Sequence, residues 1–523
     1  GGQNTAVGHE SMLTNTTGAQ NTALGRYSLY TSNGSDNTAV GYSAMEANTT
    51  GTNNTSVGKD ALKGNTTAAE NTAVGMSALK TNSTGQDNVA LGYSALELNT
   101  TGDRNVALGY KALEANTTAD YNIAVGFESL YTNTTGARNM AIGKSAYGAS
   151  DTENDNIAIG YEAMATNTAG GTQNIALGNY ALDALTSGDN NIAIGYAAGG
   201  AITTGGSNTL IGRYAGITAT TVSGNTAVGD NALRVNVAEY NTAVGAFALD
   251  SNTTGATNTA VGYGALDANS TAEYNTAIGA YALVAATTGS YNTALGRSAG
   301  LAITTGTRNV AIGVDSLKAV TTQENNTAVG TNALASNTND DNTAVGRSAL
   351  TANTTGADNT AVGAFALDAN TTGGSNVAIG WNTMGANTTG NRNVAVGNEA
   401  YQASDTESDN VAIGHGAMTT NTAGGNQNVA VGNLTLDALT SADGCAAVGY
   451  RAGTTITTAS AVTAIGFDAG RSINQGESNT AIGAYALYDT SATVNGRWNT
   501  AVGAFSRIAG DGDGGIVLGY NVS

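Results

Sequence analysis

The stretch NTAVGYSAMEANTTGTN, residues 37–53, contains the pattern that decides the fold. Its first five residues return, with small changes, thirty-one times, in pentads that begin between residue 4 and residue 515. Almost every spacing is 17 residues, with a few of 16 or 18 and one of 20. A fixed period of this size indicates one small structural unit per repeat, stacked on its neighbours.

The pentad itself predicts a short β-strand. Positions are counted from the pentad Asn as zero: +1 is Thr, Val or Ile in nearly every copy, +2 is Ala in 28 of 31, +3 is always aliphatic and +4 is always Gly. This alternation places +1 and +3 on one face and the small residues on the other. The Gly at +4 is expected to take a positive φ, or to lie where a second backbone leaves no room for a Cβ.

The rest of each repeat completes one coil. A second apolar pair, usually Ala-Leu, occupies +7 and +8, and a polar N-T-T-G turn follows. No useful helix fits between these breaks, so we predict two strands and two turns per coil. The predicted fold class is all-β: a parallel β-solenoid of about 31 coils of ~17 residues, continuous over residues 1–523 as one domain, with a length of about 150 Å. We expect this array to be a fragment of a longer fibre.

In-register stacking would turn each position into a column along the coils. The Asn columns at 0 and +11 are expected to form ladders of hydrogen-bonded amides, and Ala at +2 and +7 with Leu at +8 to fill the interior. In five coils Gly replaces Leu at +8, and in four of these Ile replaces Asn at +11, which predicts that +8 and +11 are neighbours in a closely packed interior. The residues are Gly199, Gly216, Gly300, Gly453 and Gly470 at +8, with Ile202, Ile303, Ile456 and Ile473 at +11.

The aliphatic face of the pentad suggests self-association. If the small Ala face points into a flat roll, Val and Ile at +1 and +3 point outward and form a long apolar stripe, which a soluble monomer rarely tolerates. We therefore expect a homotrimer with the stripes meeting at its axis. The alternative is a monomeric solenoid whose interior takes +1 and +3, with Ala packed under a turn.

The pentads Asn376–Gly380 and Asn410–Gly414, both N-V-A-I-G, resemble the S-V-A-I-G pentads of the YadA-like head domains of trimeric autotransporter adhesins. The resemblance extends over essentially the whole chain, although 17 residues is longer than the usual head repeat. It implies a left-handed parallel β-roll, three rolls per trimer, with Val and Ile facing the trimer axis. Similar arrays occur in stalks of phage-tail-fibre-like and bacterial surface proteins.

Composition narrows the classes of partner. The formal net charge is −20 and no basic stripe is present, so we expect neither nucleic acid nor direct membrane insertion by this segment. No stretch approaches the 18 apolar residues of a membrane-spanning helix. With 72 Gly but no Pro, and no Gly at every third residue, collagen is excluded. A protein surface rich in Thr, Asn, Ser and Tyr is typical of an extracellular or cell-surface location.

The sequence contains no recognisable catalytic motif. We therefore predict that the chain is not an enzyme and has no catalytic, cofactor-binding or metal-binding residues and no cofactor. His9 and His415 both occupy the variable +5 position and are expected on the surface. The single Cys445 replaces a pentad Asn and is expected to be a small core residue. Asp511–Gly515, D-G-D-G-G, lacks a calcium-binding repeat and is expected to be a plain turn rather than a metal site.

Two sets of side chains leave alternatives open. Aromatic residues recur at +5 and +6, and they either form a row for stacking on sugars or shield the edge of the roll. The N-T-T and N-S-T triplets are either glycosylation sites or ordinary turn chemistry, with shielding and turn chemistry favoured. The aromatic set includes Tyr42, Tyr110, Phe127, Phe247, Phe365 and Tyr485, with Trp381 and Trp498 as single cases; the triplets include those at Asn48, Asn82, Asn133, Asn269 and Asn370.

A longer order is also present. Residues 139–199 closely match residues 393–453, 254 residues or fifteen coils further on. The match includes the A-S-D-T-E motif at 149–153 and 403–407. Blocks of coils have therefore been duplicated, which is a way for a fibre to lengthen.

These observations favour an extracellular structural or adhesive fibre, the head or shaft of a trimeric surface adhesin, with a host-surface, matrix or glycan receptor as a possible partner. Two alternatives stay open: a phage or tailocin tail-fibre shaft, and ice binding through the Thr columns at +12 and +13. A solenoid enzyme is disfavoured, because charged residues make up only 11% of the chain and are scattered.

Overall fold

The structure, a computed structural model, describes residues 2–168, 170–488, 494–508 and 512–522. Its internal contacts divide the chain into two compact units, residues 1–258 and 259–523. Short parallel strands and turns make up the described part of both units, and no helix occurs among those residues. Each unit is therefore a parallel β-solenoid, as the repeat predicts; one array over residues 1–523 stays a prediction.

Each described coil contributes one strand of three residues, at positions +1 to +3. The strands of the first unit are β1 Thr5–Val7, β2 Thr22–Leu24, β3 Thr38–Val40, β4 Thr55–Val57, β5 Thr72–Val74, β6 Val89–Leu91, β7 Val106–Leu108, β8 Ile123–Val125, β9 Met140–Ile142, β10 Ile157–Ile159, β11 Ile175–Leu177, β12 Ile192–Ile194, β13 Thr209–Ile211, β14 Thr226–Val228 and β15 Thr242–Val244. Those of the second unit are β16 Thr259–Val261, β17 Thr276–Ile278, β18 Thr293–Leu295, β19 Val310–Ile312, β20 Thr327–Val329, β21 Thr343–Val345, β22 Thr360–Val362, β23 Val377–Ile379, β24 Val394–Val396, β25 Val411–Ile413, β26 Val429–Val431, β27 Ala446–Val448, β28 Thr463–Ile465, β29 Thr480–Ile482, β30 Thr500–Val502 and β31 Ile516–Leu518.

The strands of each unit pair in parallel and in register. Ala107 of β7 lies opposite Ala124 of β8, for example, so like positions stand side by side. The register survives even the longest coil, where Thr480 pairs with Thr500 across 20 residues. Extra residues are therefore accommodated in the turns, and every pentad position forms a column.

The Gly at +4 is required for two reasons, both of them predicted. Gly143 has φ +134°, a conformation that residues with a side chain rarely adopt, and a Cβ built on it would lie 2.3 Å from the carbonyl oxygen of Gly160 in the next coil. The colliding atoms belong to backbone, so no side-chain rotation relieves the overlap. The same closeness recurs along the column and sets the stacking distance.

The predicted second strand at +7 and +8 is wrong. In the coil that begins at Asn88, Ser94 at +6 and Leu96 at +8 both have left-handed backbone, with φ of +52° and +55°. Such residues break the extended pleat, yet Leu96 still donates its N–H to the carbonyl of Ala112 in the next coil, at 3.0 Å. A third left-handed residue, Asp87, precedes the pentad with φ +57°. Three residues that carry side chains thus turn the coil, in addition to the Gly at +4.

The amide ladders are confirmed. At +11, Asn116 donates through Nδ2 to Oδ1 of Asn99 in the preceding coil, at 2.8 Å. At position 0 the backbone takes part as well: the backbone N–H of Asn105 donates to Oδ1 of Asn88 at 2.9 Å, and Nδ2 of Asn105 donates to the same oxygen at 3.2 Å. These Asn side chains are buried beside Ala112 and Leu113, which are fully buried. Hydrogen bonding makes their burial tolerable, because an unpaired buried amide is costly.

The predicted contact between +8 and +11 is also confirmed. A Cβ built on Gly300 would lie 3.0 Å from Cδ1 of Ile303, so the isoleucine fills the space that Leu occupies elsewhere. The exceptional coil, with Gly216 but no Ile at +11, is filled differently. There Leu210 replaces the +2 Ala, and its Cδ atoms lie within 2.9 Å of Cβ positions built on both Gly199 and Gly216.

This packing predicts strong coupling between Gly300 and Ile303. Gly300→Leu alone should destabilise the second unit by about 2 kcal/mol through overpacking, and Ile303→Ala alone by about 2–5 kcal/mol through a cavity. The double variant reproduces the Leu283 and Ala286 pair of the preceding coil and should be close to wild type. Denaturant unfolding of the four proteins measures the coupling, and additive losses would contradict the contact.

Candidate interaction surfaces

The aliphatic side chains of the pentad point out of the coil. In β6, Val89 and Leu91 expose 41% and 44% of their surface, whereas Ala90 between them is fully buried. The same alternation holds from β2 to β30. The outward orientation is confirmed, and the alternative in which +1 and +3 fill the interior is wrong.

This face is most apolar in two segments, which we call the doubly aliphatic segments. In β6–β12 of the first unit and β23–β26 of the second, both +1 and +3 are aliphatic, or Met at one position. Most other strands have Thr at +1. A continuous apolar surface across seven coils is unusual for an exposed face of a soluble protein and is typical of an interaction surface.

In some coils the aromatic rings of the +5 column stack on one another. Tyr110 stacks between Tyr93 and Phe127, with centroid distances of 5.3 and 5.0 Å and planes within 11°. Both faces of Tyr110 are thereby covered, and the ring edges remain exposed. Such runs favour the shielding interpretation over sugar stacking. Elsewhere the rings meet edge to face and are not stacked, as for Tyr196 and Tyr214 at 5.5 Å.

The Asn of the N-T-T triplets is not available on the folded surface. Asn82 is fully buried, and its Nδ2, the atom that a glycan would modify, donates to the carbonyl of Gly85 at 2.9 Å. Asn48, Asn133, Asn269 and Asn370 are equally buried. Turn chemistry therefore explains these triplets in the folded chain.

The two Thr columns, at +12 and +13, differ in hydrogen bonding and exposure. At +12, the Thr100 hydroxyl donates to the carbonyl of Thr117 in the next coil, at 2.9 Å. At +13, Thr101 and Thr118 are exposed. The +12 column therefore strengthens the stacking of the coils, and the +13 column faces solvent.

Neither histidine takes part in a polar site that could perform chemistry. His9 and His415 are exposed, as expected. Among the described residues, no group of three or more His, Cys, Asp or Glu side chains could hold a metal ion. Of the predicted turn at 511–515, Asp511 lies outside the described residues, and Asp513 accepts the N–H of Arg497 at 2.7 Å.

Cys445 is a core residue, as predicted. It is 1% exposed, and its Sγ donates to the carbonyl of Ala459 at 3.1 Å. Burial raises the pKa of the thiol to about 11. Since the thiolate is the reactive form, the neutral buried group is poorly suited to nucleophilic chemistry.

We expect Cys445 to resist alkylation in the native protein. At pH 8, iodoacetamide should react at least about 100-fold more slowly than in denaturant, because the raised pKa and the closed packing both suppress the thiolate. Mass spectrometry of timed samples measures the rates. Rapid native labelling, with the remaining coils still protected in amide exchange, would show that the thiol is accessible.

The A-S-D-T-E motif forms a buried polar cluster that the sequence did not reveal. Tyr147 takes the +8 position and is fully buried, and its hydroxyl accepts Nδ2 of Asn156 at 2.6 Å. Glu153 replaces Gly at +14 and accepts the N–H groups of Asp151 and Gly170 at 2.9 and 3.0 Å. Burial raises the pKa of Tyr147. The joint appearance of Tyr at +8 and Ser at +11 was the available signal.

The duplicated block repeats this cluster. Tyr401 is fully buried, and Glu407 accepts the N–H groups of Asp405 and Gly424 at 2.9 and 3.0 Å. The Tyr401 hydroxyl accepts a hydrogen bond from Nδ2 of Asn410 at 2.5 Å, as the Tyr147 hydroxyl does from Asn156. The hydrogen bonds of these tyrosines and glutamates all go to groups of the coils themselves, so we assign the clusters a structural role.

Bidentate ion pairs also join neighbouring coils at the position before the pentad. Nε of Arg138 lies 2.6 Å from Asp155, and Nε of Arg392 lies 2.6 Å from Asp409 in the duplicated block. Hydrogen bonding to the guanidinium lowers the pKa of both carboxyl groups. Both pairs are exposed, so water screens them and their effect on stability is small.

The fold places the chain in the class of parallel β-solenoids. Comparison with protein-family models finds no match, and comparison with curated proteins finds none either. Among the described residues, no helix is long and apolar enough to cross a membrane. Further assignment therefore depends on the surfaces themselves.

Proposed function

We propose that this chain is a non-catalytic segment of an extracellular or cell-surface fibre, structural or adhesive in function, which assembles as a homotrimer through the pentad Val and Ile side chains. The single observation that carries the proposal is the outward aliphatic face. Ala fills the interior, and the bulky side chains are left half-exposed over many successive coils. A surface of this kind is stable in water when another apolar surface covers it.

Burial of the doubly aliphatic segments would stabilise an assembly considerably. Full burial of a Val, Leu or Ile side chain contributes about 1.5–3 kcal/mol. The side chains of β6 are already more than half covered, so each would gain about 1 kcal/mol on association. Seven successive coils with two such positions offer enough area to offset the cost of bringing chains together.

The resemblance to YadA-like heads supports three chains and a left-handed roll, because in that family the Val and Ile of the pentad face a threefold axis. An elongated trimer would display the same surface many times. Contacts to a host-surface, matrix or glycan receptor could then be individually weak and still sum to firm attachment.

The assembly is tested by the mass of the purified chain. Light scattering should give three times the chain mass of 51.7 kDa, and negative-stain microscopy should show thin rods. A single-chain mass at micromolar concentration, or short compact particles, would contradict the proposal.

A phage or tailocin fibre shaft would use the same fold and assembly, so the sequence of the flanking regions separates it from a surface adhesin. An attachment domain for a baseplate would favour the shaft.

Ice binding remains a second candidate because the +13 threonines form an exposed column. The column is interrupted at residues 148–154 and 402–408, where Ser, Asp and Glu enter. A thermal-hysteresis measurement decides this point, and no activity at high protein concentration would remove the candidate.

A further inference from the structure

A groove with a volume of about 550 Å³ crosses three successive coils of the first unit. Three tyrosines at +5 and +6 form its wall: Tyr180, Tyr196 and Tyr214. Neighbouring rings meet edge to face and do not stack face to face, with centroids 5.8 and 5.5 Å apart and planes at 80° and 84°. Ala197 and Gly200 also line the groove and, being small, leave it unfilled.

The groove contains carboxylate charge. Asp183 is half-buried, and a Cβ built on Gly200 would lie only 3.1 Å from its Oδ1. Burial raises the pKa of Asp183, and the nearby negative charge of Glu162 adds to the effect. In the part of the chain that the structure describes, no ion pair joins Asp183 or Glu162 to a cation.

The cations that approach the groove are engaged elsewhere. The Lys144 ammonium lies over the ring of Tyr161, 5.4 Å from its centroid. The Arg213 guanidinium lies over the ring of Tyr214, 5.3 Å from its centroid, and holds Asp230 in a bidentate ion pair, at 2.9 and 3.1 Å. The negative charge of the groove is therefore not neutralised from within the coil stack.

The duplicated block provides an internal comparison, because the same coils recur 254 residues later. There Arg451 stands in place of Ala197, and Thr454 in place of Gly200. Of the three wall tyrosines only Tyr196 has a tyrosine counterpart, since Leu434 and Asp468 stand in place of the other two. The Arg451 guanidinium lies over Tyr450, the counterpart of Tyr196, 5.5 Å from the ring centroid. It also holds Asp468 at 2.8 Å.

The carboxylate in the duplicated block is satisfied as well. The Thr454 hydroxyl donates a hydrogen bond to Asp437, the counterpart of Asp183. In the first unit Gly200 offers no hydroxyl, so Asp183 lacks this donor. The two copies thus share a tyrosine at +5 and an acid at +9; an arginine closes one copy, and the other is open above Tyr196 and Asp183.

We propose that the open groove binds the guanidinium group of an arginine side chain presented by a partner peptide. The guanidinium would lie over Tyr196, as Arg451 lies over Tyr450, and donate to the carboxylate of Asp183. Cation–π contact and a charge-assisted hydrogen bond both favour a planar cation at this position. The site uses positions +5 to +10, away from the pentad face, so it does not depend on trimer formation.

The test uses the whole chain and two small probes of matched shape. N-acetyl-L-arginine amide should bind in ligand-observed NMR titrations at 150 mM salt, and the neutral isostere N-acetyl-L-citrulline amide should bind at least about 10-fold more weakly. Asp183→Asn and Ala197→Arg should each weaken binding of the arginine probe by about 10-fold or more. The second variant is expected to fold, because Ala197 and Arg451 share the same backbone conformation, with φ of +53° and +54°.

Asp437→Asn is the matched control, since it makes the same change in the closed copy and should alter binding by less than about 2-fold. Equal binding of both probes, or undiminished binding by Ala197→Arg, would show non-specific attraction to an acidic chain and overturn the proposal. So would the absence of binding. A neutral oligosaccharide such as maltotriose that binds wild type and is lost in Ala197→Arg would assign the groove to glycans instead.

Discussion

Replacing Gly143 with alanine is expected to disrupt the coil stack around β9 and β10. The new methyl group would lie 2.3 Å from the carbonyl oxygen of Gly160, and φ is +134°. The next coil would have to move away, which would break the hydrogen bond from the Gly160 N–H to the carbonyl of Ile142, now 2.8 Å. We expect a loss of about 4 kcal/mol or more in local stability.

Amide hydrogen exchange is the appropriate measurement, because a solenoid can lose order locally while distant coils stay folded. Protection should fall at Met140–Ile142 and Ile157–Ile159. The matched control is Gly148→Ala in the same coil, where the nearest atom to the new Cβ would be 3.3 Å away and φ is not positive. It should change stability by less than about 0.5 kcal/mol. Equal protection in the two variants would contradict the role assigned to the +4 column.

If the proposed homotrimer forms through the aliphatic face, charging that face is expected to dissociate it. The variant Leu91→Asp/Leu108→Asp/Val125→Asp places carboxylates in three successive coils of a doubly aliphatic segment. Burying each at an apolar interface costs several kcal/mol. Association should weaken at least about 1,000-fold, equivalent to ~4 kcal/mol. Light scattering across a dilution series should then give the mass of a single chain.

The control for charge alone is Thr101→Asp/Thr118→Asp/Thr135→Asp, which adds the same three charges to the exposed +13 column of the same coils. Its mass should equal that of wild type. Both variants should keep wild-type circular dichroism, because all six positions lie outside the coil interior. If the stripe variant retains the wild-type mass, the pentad face is not the interface, and the proposed assembly is wrong.

The repeat made much of the fold predictable. Because like residues stack in register, a substitution at one position is visible as compensation at another, as with Gly300 and Ile303. The invariant Gly at +4 and the recurring Asn at 0 and +11 were likewise interpretable, since only close backbone approach or buried hydrogen bonding explains such constancy in a varied chain. The alternation of Leu91 with Ala90 predicted that they lie on opposite faces, although the structure was needed to show which face is inside.

Other features could not be predicted because they depend on backbone conformation or on contacts between coils. Nothing in the sequence distinguishes Leu96 in a left-handed turn from Leu in a strand, since the cost of that conformation is offset by a hydrogen bond to the next coil. Leu210 fills space beside two glycines in different coils, so its role requires the stack. Arg451 closes one groove, and Gly200 and Ala197 leave the other open. These roles could be recognised only in the structure, where Tyr196 and Asp183 line the same groove.

By itself, the sequence determined that this protein is built of stacked coils, with Gly and Asn in columns and with small and bulky residues on opposite faces of each strand, because a strict period leaves each residue type only one kind of neighbour. The tertiary structure decided how each coil turns, which hydroxyls and amides are used up within the stack, and where a tyrosine wall and a carboxylate are left open. Those properties come from the distances between coils, which no spacing along the chain contains.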